Sequence, residues 1–288
     1  MIQNSELILN PDGSLYHINL RPEHIADDII FVGDPDRVTT ITKRFDSIEF
    51  STQKREFKTQ TGTYKGKRIT VISTGIGPDN IDIVMNELDA LVNIDLETRQ
   101  PKATTTKLNI VRIGTSGSLQ QDIPVDSFVM SVFTIGMDNM LRSYLIDSVT
   151  EKEMEDAFIN QTNWDLKKGK PYVISCSKAL QQKIDDNRIV KGCTGTAPGF
   201  YGPQGRILRL TIQDPDLNHK IEKFHFNGIR MTNLEMETAA IYGLGKLLGH
   251  ECLSLNAIIA NRPNGTFSKD PHQVIEKLID YTLEKLIQ

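Results

Sequence analysis

Three short apolar runs each end in a glycine-bearing break, and this repeated device constrains the fold more than any other feature of the chain. Ile29 to Val32 runs into Gly33-Asp34-Pro35-Asp36-Arg37. Arg68 to Ser73 runs into Thr74-Gly75-Ile76-Gly77-Pro78, and Leu108 to Ile113 into Gly114-Thr115-Ser116-Gly117. Short apolar runs bounded by glycine and proline read as buried strands. After the first, Val38 to Arg44 starts as a helix with Pro35 suited to its first turn. After the second, Asn80 to Val92 spaces Ile81, Val84, Met85, Leu88 and Leu91 as one face of an amphipathic helix. Strand, turn and helix in succession predict an α/β layered fold.

The rest of the chain keeps to this scheme. Asp126 to Phe133, Pro171 to Cys176, Ile189 to Thr196, Gly228 to Thr232 and Leu253 to Ile259 read as further strands, and Gly62 and Gly66 suggest a hairpin. Ser177 to Ile184 reads as a short helix. The helix that begins around Glu235 and runs to Leu248 carries a small-residue face of Ala239, Ala240 and Gly243. Val274 to Ile287 reads as a C-terminal amphipathic helix, and Asp147 to Lys170, with Trp164, as a surface excursion of short helix and loop. At 288 residues this is within reach of one large α/β domain. A net charge of −4 and a pI near 5.9 argue against nucleic acid or a membrane as partner. No run approaches the ~18 apolar residues of a membrane span, and the N-terminus has no signal-peptide pattern. Cys176, Cys193 and Cys252 are too few and too scattered for a disulfide framework or a zinc site; they read as reduced core thiols of a cytoplasmic protein.

The same breaks carry the residues with chemistry. In VRIGTSGS, the glycines permit φ > 0 and close backbone approach, so free N–H groups and two hydroxyls form a nest for a phosphate or a sugar. Arg112 adds a planar charged fork that matches phosphate oxygens. Taken alone, a surface turn with Arg112 paired to a carboxylate is the simpler reading. Gly33 to Arg37 is a strand–glycine–helix junction, a ready anion site over which Arg37 could close; the plain alternative is a capped turn with Arg37 in solvent. Thr196 to Arg206 is a Gly/Pro-rich loop. In it Phe200, Gln204 and Arg206 offer an aromatic face, an amide with donor and acceptor, and a guanidinium, a set suited to a pyrimidine or purine. A surface loop with an anchoring Phe fits equally. Glu235 and Glu237, at a helix start, either favour the helix dipole or aim one carboxylate at a sugar diol. His17 and Arg55 have only plain local readings, a half-buried packing residue and a solvated charge.

Taken together and in order, GDPDR, REF, STGIG, RIGTSGS and NLEMETAA resemble the nucleoside phosphorylase family over residues 14 to 285. The resemblance implies that family's phosphorylase/hydrolase-type α/β fold, a single domain over residues 1–288 with a central mixed β-sheet flanked by helices. FYGPQGR is similar to the uracil-recognition loop of the uridine branch, and Ala260-Asn261-Arg262 lacks the Asp that the purine branch carries after its last strand. By resemblance, Gly33, Arg37, Arg112 and Thr115 hold phosphate, joined by Arg55 from a neighbouring subunit. Met236 and Glu237 contact ribose, and His17 crosses to the neighbour's 5′-hydroxyl. Thr115 and Gly117 lie between sugar and base, and Phe200, Gln204 and Arg206 hold uracil. Arg112, Gln204 and Arg206 are expected to carry catalysis, with phosphate as co-substrate and no cofactor required. Glu56, Ile76 and Asn80 match the positions with which related enzymes hold a monovalent cation, K+, at a dimer interface, although Asn80 replaces a serine and Pro78 a glycine of the common pattern. A homo-oligomer, hexamer or dimer, with shared sites is implied. Gly136 to Lys170 departs from the best-known members.

The reaction so implied is uridine + phosphate ⇌ uracil + ribose 1-phosphate. The arginines would orient the phosphate, itself the nucleophile, while Gln204 and Arg206 stabilise the departing base. On this reading Arg112→Ala and Arg206→Ala lose most activity and keep the fold. A broader pyrimidine or a purine phosphorylase is the nearest alternative. A non-catalytic nucleoside-binding protein on the same fold is another, but it has no need of Arg37, Arg55 and Arg112 together. A nicotinamide oxidoreductase is disfavoured, because no G-x-G-x-x-G follows a strand with an acid placed further on.

Overall fold

The apolar runs lie side by side. In the computed structural model, which describes residues 1–288, the strands are β1 (Asp28–Val32), β2 (Ser47–Lys54), β3 (Phe57–Tyr64), β4 (Lys67–Ser73), β5 (Ile94–Asp95), β6 (Gln100–Pro101), β7 (Asn109–Ser118), β8 (Phe128–Gly136), β9 (Tyr172–Ser175), β10 (Ile189–Thr196), β11 (His225–Phe226), β12 (Ile229–Glu235), β13 (Glu251–Asn261) and β14 (Thr266–Phe267). The α-helices are α1 (Pro35–Thr42), α2 (Pro78–Asn93), α3 (Lys152–Thr162), α4 (Lys178–Ile184), α5 (Leu217–Lys223), α6 (Thr238–Leu248) and α7 (Pro271–Leu286). Twelve strands form one mixed sheet with the path β11-β12-β10-β8-β13-β7-β1-β4-β3-β2, β9 lying beside β8 and β14 beside β13.

β1 pairs in parallel with β4 and β7, and β7 in parallel with β13. Ile30, Phe31, Val71, Ile110 and Val111 on these strands are fully buried, as expected of parallel strands covered on both faces. α1 lies on β3 and β4, α6 on β13 and β8, and α7 on β13 and β7, while α2 packs against α6. α2 buries Ile81, Val84, Met85, Leu88 and Leu91, the residues its helical period selects. The small face of α6 is a packing device: a Cβ on Gly243 would lie 2.1 Å from Leu141, and one on Gly245 2.3 Å from the sulfur of Cys252.

The sheet curls on itself. β12 pairs with β10 in parallel and also, antiparallel, with the end of β7 through Asn233↔Ser118 and Leu234↔Gly117. β7, β12, β10, β8 and β13 thus close into a small barrel. Closure brings the carboxyl end of β12 against the carboxyl end of β7, and so places Glu235 to Glu237 beside Thr115 to Gly117.

Several sequence expectations change here. Gly114 to Gly117 is not a turn. β7 runs through to Ser118, paired with β13 from Asn109↔Glu251 to Ser118↔Asn261, and neither glycine has a positive φ. Gly114 is needed for another reason: a Cβ there would lie 2.0 Å from Nη1 of Arg112, whose side chain folds back over the strand. β12 extends to Glu235 and α6 starts at Thr238, so Glu235 and Glu237 precede the helix rather than sit in its first turn. Barrel closure supplies the extra strand pairing that the local pattern does not show. Only Gly66 serves the hairpin, with Lys65, both at positive φ; Gly62 lies within β3 opposite the irregularity of β2. The stretch 147–170 carries a core of its own, because Met154, Phe158 and Trp164 bury with Leu217, Ile221 and Phe224.

Candidate functional site

The carboxyl ends of β1, β4, β7, β12 and β13 border one cavity of about 440 Å³, the position at which open α/β sheets take ligands. Gly33, Arg37, Ile76, Arg112, Thr115, Gly117, Phe200, Gln204, Arg206, Met236 and Glu237 all line it. His17, Arg55, Glu56 and Asn80 do not.

One end is built around Arg112, which is 6% exposed. Its Nη2 donates to Glu237 Oε2 at 2.5 Å and lies 3.3 Å from Glu235, and its Nη1 donates to Asn256 Oδ1 at 3.1 Å. The carboxylate-paired reading therefore holds, and the same residue lines the cavity. Burial works against the charge of Arg112, but Glu235 and Glu237 together raise its pKa. Burial raises that of Glu237, against the pull of Arg112 and with the push of Glu235. Glu237 is fixed from its other side, since Oε1 accepts the Gly77 N–H at 2.9 Å at the head of α2. Glu235 caps α6, accepting from the N–H groups of Glu237 and Thr238.

Arg37 projects from the first turn of α1 toward the same place. The one hydrogen bond of its side chain, at 3.4 Å, goes to the carbonyl of Ile113. Burial and the neighbouring Arg112 lower its pKa, with Asp34 opposing. Two guanidinium groups held close enough to disfavour each other, one of them without a carboxylate bond, suit an incoming anion. Gly114→Ala is expected to push Arg112 from this position. It should lower turnover and cost roughly 1–3 kcal/mol by overpacking, read as a lost rate together with a lower Tm; a rate and Tm equal to wild type would show that Arg112 has room to spare.

At the other end, Gln204 is 2% exposed on a short 3-10 turn, Gly202–Gln204. Its Oε1 accepts from Arg206 Nη1 at 2.6 Å and from Arg262 Nη2 at 2.9 Å, and its carbonyl accepts from Arg262 Nη1 at 2.7 Å. The sequence reading gave this amide a donor and an acceptor. With the oxygen held by two guanidinium groups, the amide nitrogen is what remains to offer. Arg206 also donates to the Phe200 carbonyl at 2.5 Å and lies over the Phe200 ring, 3.7 Å from its centroid. A planar ligand is left the other face of Phe200. Burial, then Arg206, pushes Arg262 down to about 10, so this end attracts carbonyl oxygen or negative charge.

The residues outside the cavity form two groups. His17 is tied to Glu87 of α2, with Nδ1 2.5 Å from Oε1. Arg55 is exposed at the β2–β3 turn with φ +54°. The two stretches are fastened together: Lys54 donates to the Tyr16 carbonyl, its Nζ lies 4.3 Å from the centre of the Tyr16 ring, and Asn19 donates to Thr52 at 3.0 Å. Glu56, Ile76 and Asn80 gather around Gly75, where Asn80 Nδ2 donates to the Ile76 carbonyl at 3.4 Å and an added Cβ would meet both Asn80 and Glu56. A carboxylate, a carbonyl and an amide are oxygen donors of the kind a hard cation takes, and one subunit brings these together around Gly75.

Asp34 of the anion turn, Ser116 of the nest and Glu235 also line the cavity, as their local readings allow. Ile259, Ala260 and Phe267 line it too, and Arg262 stands behind Gln204; none of these four gains a binding role from sequence. The signal for Arg262 is a basic residue directly after the last long apolar run. Phe267 has none, because only the β13–β14 pairing Ala260↔Phe267 brings it back. No helix is long and apolar enough to cross a membrane.

Comparison with known proteins gives a consistent picture. The family profile of the Phosphorylase superfamily matches residues 27–284. A uridine phosphorylase from Thermococcus kodakarensis is 28% identical over 90% of this chain and 81% of its own length. A DeoD-type purine nucleoside phosphorylase from Anoxybacillus flavithermus is also 28% identical, over 94% of this chain and 98% of its own. Among solved structures, a Trypanosoma brucei nucleoside phosphorylase described as showing uridine phosphorylase activity superposes with a TM-score of 0.88 at 31% identity, covering 98% of this chain and 99% of that one.

Proposed function

The chain belongs to the Phosphorylase superfamily, and from that premise we propose that it is a uridine phosphorylase, catalysing uridine + phosphate ⇌ uracil + ribose 1-phosphate. The observation that carries this reading is the polarity of one cavity: Arg37 and Arg112 at one end, a donor-only face of Gln204, Arg206 and Arg262 at the other, and Glu237 between them. Phosphate held by Gly33, Arg37, Arg112 and Thr115 attacks C1′ while the glycosidic bond opens. Glu237 and Met236 hold the ribose, with the carboxylate accepting from its hydroxyls. Gly117 and Phe200 flank the base. Gln204 and Arg206, with Arg262 behind them, take up the negative charge that the bond electrons carry to uracil.

Charge balance favours a shared site. Arg37 and Arg112 offset Glu235 and Glu237, so one subunit brings no net positive charge to a phosphate dianion. Arg55 from a neighbouring subunit would supply it, and its exposed turn is free to reach outward. His17, fastened to the same surface, would cross with it to the ribose 5′-hydroxyl. The protein would then act as a homo-oligomer, a dimer or a hexamer of dimers. K+ between two subunits would be held by Glu56, the Ile76 carbonyl and Asn80, its charge bridging the two halves of the interface.

Uridine, thymidine and inosine compared as substrates test the base assignment. Uridine turnover with inosine inert is expected, since FYGPQGR and the Ala260-Asn261-Arg262 stretch without an Asp resemble the uridine branch; the reverse preference would make the chain a purine phosphorylase. Arg37→Ala is expected to raise the phosphate KM about tenfold or more, the value of a charge-assisted hydrogen bond, with the uridine KM nearly unchanged. An unchanged phosphate KM would remove Arg37 from the anion site.

A further inference from the structure

Glu87 has no place in the cavity, yet it gathers more donors than a surface carboxylate on a helix needs. Its Oε2 accepts the backbone N–H of His17 at 3.1 Å and of Ile18 at 3.0 Å, and its Oε1 meets Nδ1 of His17 at 2.5 Å. Glu87 belongs to α2, whose buried face of Val84, Leu88 and Leu91 seats it on the core. The segment it grips, between Asn10 and Leu20, is otherwise irregular and has no strand of its own. A rigid helix is thus holding one particular histidine.

The grip decides the chemistry of the ring. A carboxylate only accepts, so Nδ1 of His17 carries the proton. The ring then presents Nε2 outward as an acceptor, in a direction set by the grip on Nδ1. Nε2 makes no hydrogen bond within the subunit, and the side chain is 28% exposed. Tyr16, set edge-on at 4.8 Å, supports the ring from the side. An imidazole oriented at Nδ1 by a carboxylate, with its other nitrogen free, is built to meet a polar group from outside the subunit.

We propose that Glu87 is a positioning residue: it fixes the tautomer and direction of His17 so that Nε2 meets the sugar 5′-hydroxyl in the site of a neighbouring copy of this chain. This rests on the shared-site reading above. Glu87 touches no substrate, and its effect reaches the sugar only through His17.

The test compares phosphorolysis of uridine and 5′-deoxyuridine by wild type, Glu87→Ala, Glu87→Gln, His17→Ala and the double variant, each checked by thermal melting. Glu87→Ala is expected to lower kcat/KM for uridine about tenfold, mostly through KM, as for one lost oriented hydrogen bond. 5′-Deoxyuridine, which lacks the hydroxyl, should change by less than about twofold on the same grounds. His17→Ala should show the same pattern, the double variant should be no worse than His17→Ala, and Glu87→Gln, which keeps an acceptor, should recover part of the loss. Equal losses on both nucleosides, or a Glu87→Ala enzyme as active as wild type on uridine, would overturn the proposal while leaving the site reading in place. A wild-type chain inert toward both nucleosides would overturn the site reading itself, and this inference with it.

Discussion

Arg112→Ala is expected to abolish measurable phosphorolysis, lowering kcat/KM by roughly 10²–10³ or more, the value of a preorganised charged donor at a reacting group. The same change should cost stability, which the sequence alone did not suggest. Arg112 is the counter-charge for Glu237 at 2.5 Å and for Glu235 at 3.3 Å, and all three are buried. Removing one partner of a buried charge cluster typically costs about 3–5 kcal/mol, because the remaining charges lose their compensation. The pH dependence has a definite sign. Glu237 sits above its ordinary value of 4.5 because of burial, so its contribution to stability is present below that value and is lost as pH rises through the raised one. Without Arg112 the pKa rises further, and the deficit of the variant should narrow in mildly acidic buffer. Initial rates with saturating uridine and phosphate, together with melting curves at acidic and neutral pH, check both parts. Arg112→Lys keeps the charge without the fork and should retain more of the Tm than of the rate. Wild-type turnover in Arg112→Ala would remove Arg112 from the anion site, and in Arg112→Lys would show that its charge suffices without the fork.

Arg206→Ala is expected to lose a similar factor in turnover, roughly 10²–10³, while the fold stays within about 0.5 kcal/mol of wild type. Arg206 is partly exposed, and its partners are the Phe200 carbonyl and Gln204 Oε1, the second of which Arg262 still holds. In the proposed reaction Arg206 would meet charge that develops as the base departs, so the loss should fall on kcat more than on KM. A uracil with a more acidic ring, as in 5-fluorouridine, needs less help in leaving and should lose less. An equal loss for both nucleosides would assign Arg206 to ground-state binding alone, and an unchanged rate would remove it from the base site.

Much of this architecture is legible in local pattern. Ile81, Val84, Met85, Leu88 and Leu91 announce the buried face of α2, and Gly33 with Pro35 marks the passage from β1 into α1. What stays hidden is whatever barrel closure decides. Gly114 to Gly117 has the composition of a turn and the structure of a strand, because β12 and β13 pair with both sides of β7 there. Glu235 looks like the opening of a helix and is the end of a strand, for the same reason, while Glu237 stands just before α6. Among the site residues, those on motifs at strand ends converge on the cavity as their order suggests. Arg262 and Asn256 gain no role from sequence because each works through a partner far away along the chain, Gln204 for Arg262 and Arg112 for Asn256; Phe267 gains none because only the short hairpin to Ala260 turns it back toward the cavity. His17 and Arg55 have only plain local readings, and nothing within one subunit brings them to the cavity; the resemblance alone assigns them a role.

The central claim is that phosphate is the nucleophile and uracil the leaving group in this cavity. Uracil release from uridine, followed by ultraviolet absorbance with and without inorganic phosphate, tests it most directly. The expected result is release that depends on phosphate and yields ribose 1-phosphate in equal amount. Release that proceeds equally well without phosphate would contradict the claim, because it would make water the nucleophile and leave the proposed anion site of Arg37 and Arg112 without its ligand.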